Sequence, residues 1–263
     1  IPVPETFDDD YRNRAKAAAE AKMRIRNDLT YGDLGLVQPE GGDEVGARST
    51  ATSTRRKIPA GDQYEALRLI DKDTGELFTF STAQELDAFK YQRYLQRYLR
   101  TIASIDEGVG ALLDYLDAEG LSENTVVIYT SDQGFFLGEH GWFDKRFMYE
   151  QSFQMPFLVR YPRDIKAGQV CSNICCNVDF APTFLDLAGL AIPSYMQGKS
   201  LRPLLCGTPP EDWHELAYHR YWMHRDPDHN AYAHYGVRNQ RYKLIYWYNE
   251  GFGLPGTDHG GED

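Results

Sequence analysis

Hydrophobic positions divide the chain into stretches of different period. The longest helical period lies between Ser81 and Asp117, where apolar residues recur at Leu86, Phe89, Tyr94, Leu95, Tyr98, Leu99, Ile102, Ile105, Val109, Leu112, Leu113 and Leu116. Spacings of three and four sustained over many turns predict one long amphipathic helix. Ser81 with Gln84, and Thr82 with Glu85, each fit a capping box at its start, while Gly120 is placed to stop it. Arg93, Gln96, Arg97 and Arg100 lack an acidic complement, so the expectation is a core-packing helix rather than a coiled coil.

After Asn124-Thr125 the pattern changes to short continuous apolar runs, Val126–Tyr129 and then Met155–Tyr161 with Pro156 at its start. Such a run a few residues after a helix predicts a strand buried on both faces of a parallel sheet. Asp179 to Leu187 predicts a short helix ended by Gly189. From Cys206 onward the texture is aromatic and β-prone at Leu216–Trp222, Tyr235–Arg238 and Tyr242–Tyr248, which predicts a small antiparallel sheet. Upstream, the Ala-, Arg- and Lys-rich stretch from Asp9 to Leu29 predicts a helix. Residues 32–62, dominated by Gly, Ser, Thr and charge, read as a long loop or insertion. The expected organisation is an α/β core over 1–205 and the beginning of a C-terminal subdomain over 206–263.

Composition changes this picture little. The chain of 263 residues carries 28 basic and 39 acidic residues, a net charge of −11. That balance argues against a nucleic-acid partner, whose phosphates require clustered Lys and Arg. It is silent on anionic small molecules, because a single lysine or metal sets the field inside a cleft. Cys171, Cys175, Cys176 and Cys206 lack zinc-site spacing and are expected to be buried or free thiols. No apolar run reaches the length of a membrane-spanning helix. The chain starts at Ile1-Pro2-Val3-Pro4 and ends in Gly260-Gly261-Glu262-Asp263, and both ends are expected to be cut.

Candidate chemistry sits where the first strand ends. In an open α/β sheet, ligands bind beyond the carboxyl ends of the strands. There Thr130-Ser131-Asp132-Gln133-Gly134 delivers a carboxylate and an amide carbonyl side by side. Both are hard oxygen donors suited to Ca²⁺ or Mg²⁺, although Asp132 equally suits the capping of a turn. No second Asp or Glu pair ends another convincing buried strand, so further ligands are expected from elsewhere. Lys145 is a candidate to hold an anion against the cation as a compact point charge, or else a solvated surface lysine, with Arg146 competing for the role. His140, flanked by glycines in Gly138-Glu139-His140-Gly141, is expected on an exposed loop. Its candidate roles are substrate contact, acid–base work and a loop-stabilising hydrogen bond.

Taken as one string, these segments resemble the type I sulfatases of the alkaline phosphatase superfamily. The resemblance rests on Asn124-Thr125-Val126-Val127-Ile128, Thr130-Ser131-Asp132-Gln133-Gly134, Leu137-Gly138-Glu139-His140-Gly141, Asp144-Lys145, Tyr149-Glu150 and Pro156. Asp179, Pro182-Thr183, Gly198-Lys199-Ser200-Leu201 and Val237-Arg238 extend it over roughly Tyr91 to Ile245. It implies a large mixed sheet sandwiched by helices, followed by a small C-terminal antiparallel sheet. It implies a Ca²⁺ or Mg²⁺ site using Asp132, with Gln133 where the family usually has Asn or His, and Lys145 as the residue that grips a sulfate oxygen. It implies a small-molecule or glycan sulfate ester as substrate, and a nucleophile converted to formylglycine whose hydrate attacks sulfur. None of the four cysteines fits the family's nucleophile motif, so formylglycine is expected in a missing N-terminal part. The chain alone is then expected to be inactive and to bind Ca²⁺ weakly. A phosphonate or phosphodiester hydrolase of the same superfamily, and a non-catalytic remnant, are the alternatives.

Overall fold

A computed structural model describes residues 1–39, 56–255 and 257. The expected loop or insertion at 32–62 therefore lies partly outside the described residues. In chain order the elements begin with two short helices, α1 (Lys16–Glu20) and α2 (Ile25–Asp28), and a two-stranded antiparallel ribbon of β1 (Leu69–Ile70) and β2 (Leu77–Phe78). The long helix α3 (Ala83–Ala118) leads to β3 (Val127–Thr130), α4 (Glu150–Phe153), β4 (Phe157–Arg160), α5 (Phe180–Leu187) and α6 (Arg202–Leu205). Strands β5 (Ala217–Tyr221), β6 (His234–Arg238) and β7 (Lys243–Trp247) close the described chain as a three-stranded antiparallel sheet in the order β5-β6-β7.

The stretch from Asp9 to Leu29 is not one helix, contrary to expectation. Asp9 Oδ1 accepts the Tyr11 N–H at 2.9 Å and Asp28 Oδ2 accepts the Arg24 N–H at 2.8 Å, so aspartates take backbone donors that a continuous helix would use. Ala15, Ala21, Arg24 and Leu29 are extended, which leaves room only for α1 and α2.

Helix α3 runs over 36 residues. Its start is as expected: Thr82 accepts the Glu85 N–H at 3.1 Å, and Glu85 Oε2 accepts the Ser81 N–H at 2.7 Å. Its packing differs along its length. Leu86, Tyr91, Tyr94 and Leu95 bury against Ile25, Leu29, Leu34, Ile58 and Leu69. Within this half Lys90 is also buried, its ammonium donating to Arg26 O at 2.5 Å and Pro59 O at 2.8 Å. The C-terminal half instead exposes Leu99, Ile102, Ile105 and Leu112 and buries Leu116 near its end, so α3 packs a core mainly over its first half. Its bare stripe faces the β3–β4 ribbon across a cleft of about 1580 Å³, lined by Ile105, Val109, Leu113, Val127 and Phe157 among others.

Strand β3 pairs antiparallel with β4, Val127 opposite Arg160 and Thr130 opposite Phe157, and is half-buried throughout. This differs from the expected parallel, fully buried strand. The chain between the two strands returns through a folded loop rather than a crossover helix, and such a return pairs strands antiparallel. Cys171, Cys175 and Cys206 are exposed free thiols and Cys176 is a half-buried one, so the expectation of buried or free thiols holds in its second part. Among the described residues no helix is long and apolar enough to cross a membrane.

Candidate active site

The strand end presents Asp132 exposed and Gln133 half-buried. Gly134 then passes directly under α4. A Cβ on Gly134 would lie 2.3 Å from Gln151 O and 2.8 Å from Gln154 O, so only glycine permits the approach. Its N–H donates to Ser152 O at 3.1 Å, and the Gln133 side-chain NH₂ donates to the same carbonyl. With the NH₂ so committed, the oxygen is the end of the Gln133 amide that this bond does not use.

The loop after Gly134 is stapled to the body of the protein by aromatic residues. Phe136, Trp142 and Phe147 are fully or almost fully buried, with Met23, Ala18 and Tyr11 around them. His140 stands at φ 58° beside Gly141 at φ 71°. The glycine admits Phe7, whose carbonyl would lie 2.7 Å from any Cβ there. His140 is buried, not on an exposed loop as expected. Its Nδ1 lies 2.7 Å from Asp9 Oδ2, and its ring packs against Trp142 and Tyr149. Its N–H donates to Thr6 Oγ1 at 3.1 Å, and its carbonyl accepts from the Tyr11 hydroxyl. Burial pushes the Asp9 carboxyl up, but hydrogen bonds from the Tyr11 N–H, His140 and Arg14 outweigh it and bring the pKa to about 2. The geometry of His140 is that of a loop-stabilising residue.

On the returning limb the Phe136 N–H donates to Asp144 O at 2.9 Å, which brings Lys145 back alongside the start of the loop. Lys145 Nζ lies 5.7 Å from the ring centre of Phe135, two residues past Gln133. Among the described residues no carboxylate pairs with that ammonium. Arg146, its competitor for an anion, is engaged with Asp144 at 3.0 Å. The structure thus sets the Lys145 ammonium over the Phe135 ring and turns Arg146 to a neighbouring carboxylate.

Asp144, Asp226 and His229 were not among the sequence-derived candidates. His229 Nε2 lies 2.9 Å from Asp144 Oδ2 and its Nδ1 lies 2.8 Å from Asp226 Oδ1. Burial pulls the imidazole down, but its hydrogen bonds to Asp144 and Asp226 outweigh it and raise its pKa to about 9. Asp144 is driven the other way, to about 2, where its bonds to His229 and Arg146 overcome burial.

Asp132 and Gln133 match a hard divalent cation in chemistry, but two donors fall short of the about six to eight oxygens such a cation takes. Among the described residues no group of three or more His, Cys, Asp or Glu converges on one point.

An α/β body with an oxygen-donor pair and a lysine at one strand end has the parts of an anion-binding, ester-cleaving site. A family model described as "Sulfatase" matches residues 6–190, and one described as "N-sulphoglucosamine sulphohydrolase, C-terminal" matches residues 138–253. The chain belongs to the sulfatase family, and the matches carry the resemblance beyond Tyr91 and Ile245 at both ends. It is 45% identical over 260 residues to an N-acetylglucosamine-6-O-sulfatase of Bacteroides thetaiotaomicron, covering 95% of this chain and 45% of that one. Human N-acetylglucosamine-6-sulfatase is 36% identical over 137 residues, 51% of this chain and 24% of its own. A solved structure of a protein in complex with its substrate D-glucosamine-2-N,6-O-disulfate is similar with a TM-score of 0.75 at 41% identity, covering 95% of this chain and 51% of that one. A phosphonate monoester hydrolase from Silicibacter pomeroyi is similar with a TM-score of 0.55 at 25% identity, covering 60% of this chain and 33% of that one. The chain thus spans about half the length of the relatives it matches most fully. Its fold is that of the sulfatases in the alkaline phosphatase superfamily, a mixture of helices and sheets with a small antiparallel sheet.

Proposed function

We propose that the protein is a sulfuric ester hydrolase that removes a 6-O-sulfate from a glucosamine unit, and that this chain supplies the second half of its site. The observation that carries this reading is the 45% identity with an N-acetylglucosamine-6-O-sulfatase across 95% of the chain. The similar structure holding a 6-O-sulfated glucosamine supports the same substrate class.

Within this site Lys145 holds a sulfate oxygen as a point charge, in ground state and transition state alike. Asp132 and Gln133 would hold Ca²⁺ or Mg²⁺, with the remaining ligands outside the described residues. That cation supplies Lewis-acid stabilisation of the sulfate oxygens, and a formylglycine outside this chain supplies the nucleophile. Asp144 carries the Lys145 N–H on its Oδ1 at 2.6 Å and so fixes the direction in which the lysine leaves the turn. His140, by its bonds to Asp9 and Thr6, fastens the tip of the loop to the N-terminal segment.

The full-length protein, incubated with N-acetylglucosamine-6-sulfate and with a phosphonate monoester in parallel, tests this directly by release of inorganic sulfate. Sulfate release with slower phosphonate cleavage is expected. A preference for the phosphonate, or no sulfate release from any sulfated glucosamine, would contradict it.

A further inference from the structure

Asp144 is the residue before Lys145, and its backbone stands at φ 67°, a left-handed conformation that aspartate tolerates only with support. Its carboxylate supplies part of that support through three bonds. Oδ1 accepts the Lys145 N–H at 2.6 Å, while Oδ2 takes Arg146 Nη2 at 3.0 Å and His229 Nε2 at 2.9 Å. His229 does not belong to this loop. It sits in the connection between β5 and β6, where Asp226 Oδ1 receives both its N–H at 2.9 Å and its Nδ1 at 2.8 Å. Its carbonyl accepts the Lys22 N–H at 2.6 Å, which fastens the same connection to the segment between α1 and α2.

With a carboxylate against each ring nitrogen, His229 satisfies both only as an imidazolium. Side-chain exposure is 16% for His229, 16% for Asp144 and 8% for Asp226, so the pairs are screened little. Further charged or titratable groups at the cluster include Arg146, 3.4 Å from His229 Nε2, and Tyr221, whose hydroxyl feels Asp226, Arg146 and Asp144. Without the imidazolium, Asp144 and Asp226 would lose the cation between them, while Arg146 would still hold Asp144 Oδ2. Asp144 would then have cause to leave the turn that Lys145 depends on.

We propose that His229 is a positioning residue for Lys145, a bridge between Asp226 and Asp144 that aims the lysine at the sulfate group. The inference rests on reading Lys145 as the sulfate-gripping residue, and the test separates the two. Inorganic sulfate is used as a competitive inhibitor of the full-length protein, and its inhibition constant is measured for wild type, Lys145→Ala, His229→Gln and the double variant.

Lys145→Ala is expected to weaken sulfate markedly, and His229→Gln to weaken it on the order of tenfold, by analogy with the loss of an orienting partner behind a metal ligand. The double variant is expected to match Lys145→Ala alone, because His229 acts through the lysine. Additive losses in the double variant, or an unchanged constant for His229→Gln beside a weakened Lys145→Ala, would overturn the positioning role. No effect of Lys145→Ala would overturn the underlying reading of the lysine, and the positioning role with it. Should His229→Gln fail to fold by circular dichroism, Asp226→Asn is read against the same criteria. It loosens the outer end of the bridge and leaves the Lys145 turn untouched.

Discussion

At the scale of single residues, the site depends on close approaches that side chains would prevent. A Cβ on Gly134 would meet Gln151 O at 2.3 Å, backbone that cannot yield without moving α4. Gly134→Ala is therefore expected to cost about 1–3 kcal/mol in chemical denaturation and to displace Asp132 and Gln133 with it. His229 makes a second prediction, this one in pH. Its pKa rises from 6.5 to about 9 on folding, so its contribution is fully present below pH 6.5 and is lost as pH climbs through about 9. The loss is at most about 3 kcal/mol, and His229→Gln should flatten the alkaline fall in melting temperature. An unchanged alkaline slope in the variant would show that the bridge does not form. Asp132 and Lys145 stood out as candidates because each stands at a recognisable point of a continuous motif. Asp226 and His229 were not, because they lie some eighty residues further along the chain in a stretch with no period, and proximity across such a gap leaves no local mark.

Among elements, α3 was the most legible, since its start, length and stop follow from spacing and capping residues alone. Thr82→Ala should cost about 1 kcal/mol through loss of the Glu85 N–H acceptor. Leu95→Ala, buried in the first half, should cost about 2–5 kcal/mol by the same denaturation measurement. Equal small losses at both positions would mean that the helix does not pack as described. The stretch from Asp9 to Leu29 was misread because composition suggested a helix while two aspartates divert backbone donors into turns. The partner of β3 was misread for a related reason: a continuous apolar run signals a buried strand but not the direction of its neighbour. The C-terminal strands were legible from their β-prone texture, and their register places His234 under Trp247 next to Phe147, behind the site loop.

For the molecule as a whole, the half-bare helix α3, the cleft of about 1580 Å³ and the proposed two-donor cation site have a common reading. Each is a surface or ligand set that needs more protein than the described residues provide, in a chain spanning 45% of its bacterial relative. The 263-residue chain by itself is accordingly expected to bind a hydrophobic dye, to show no calorimetric Ca²⁺ binding at micromolar concentrations and to release no sulfate. The fold family was legible because motifs from several elements coincide, whereas the identity of the sugar was not, because the roles that the motif string implies concern the sulfate group and the cation. The most direct measurement is kcat/KM for sulfate release from N-acetylglucosamine-6-sulfate by the full-length protein before and after Lys145→Ala. A lysine that grips sulfate at the end of β3 requires a fall on the order of a hundredfold or more. Sulfate release that survives Lys145→Ala undiminished would contradict it.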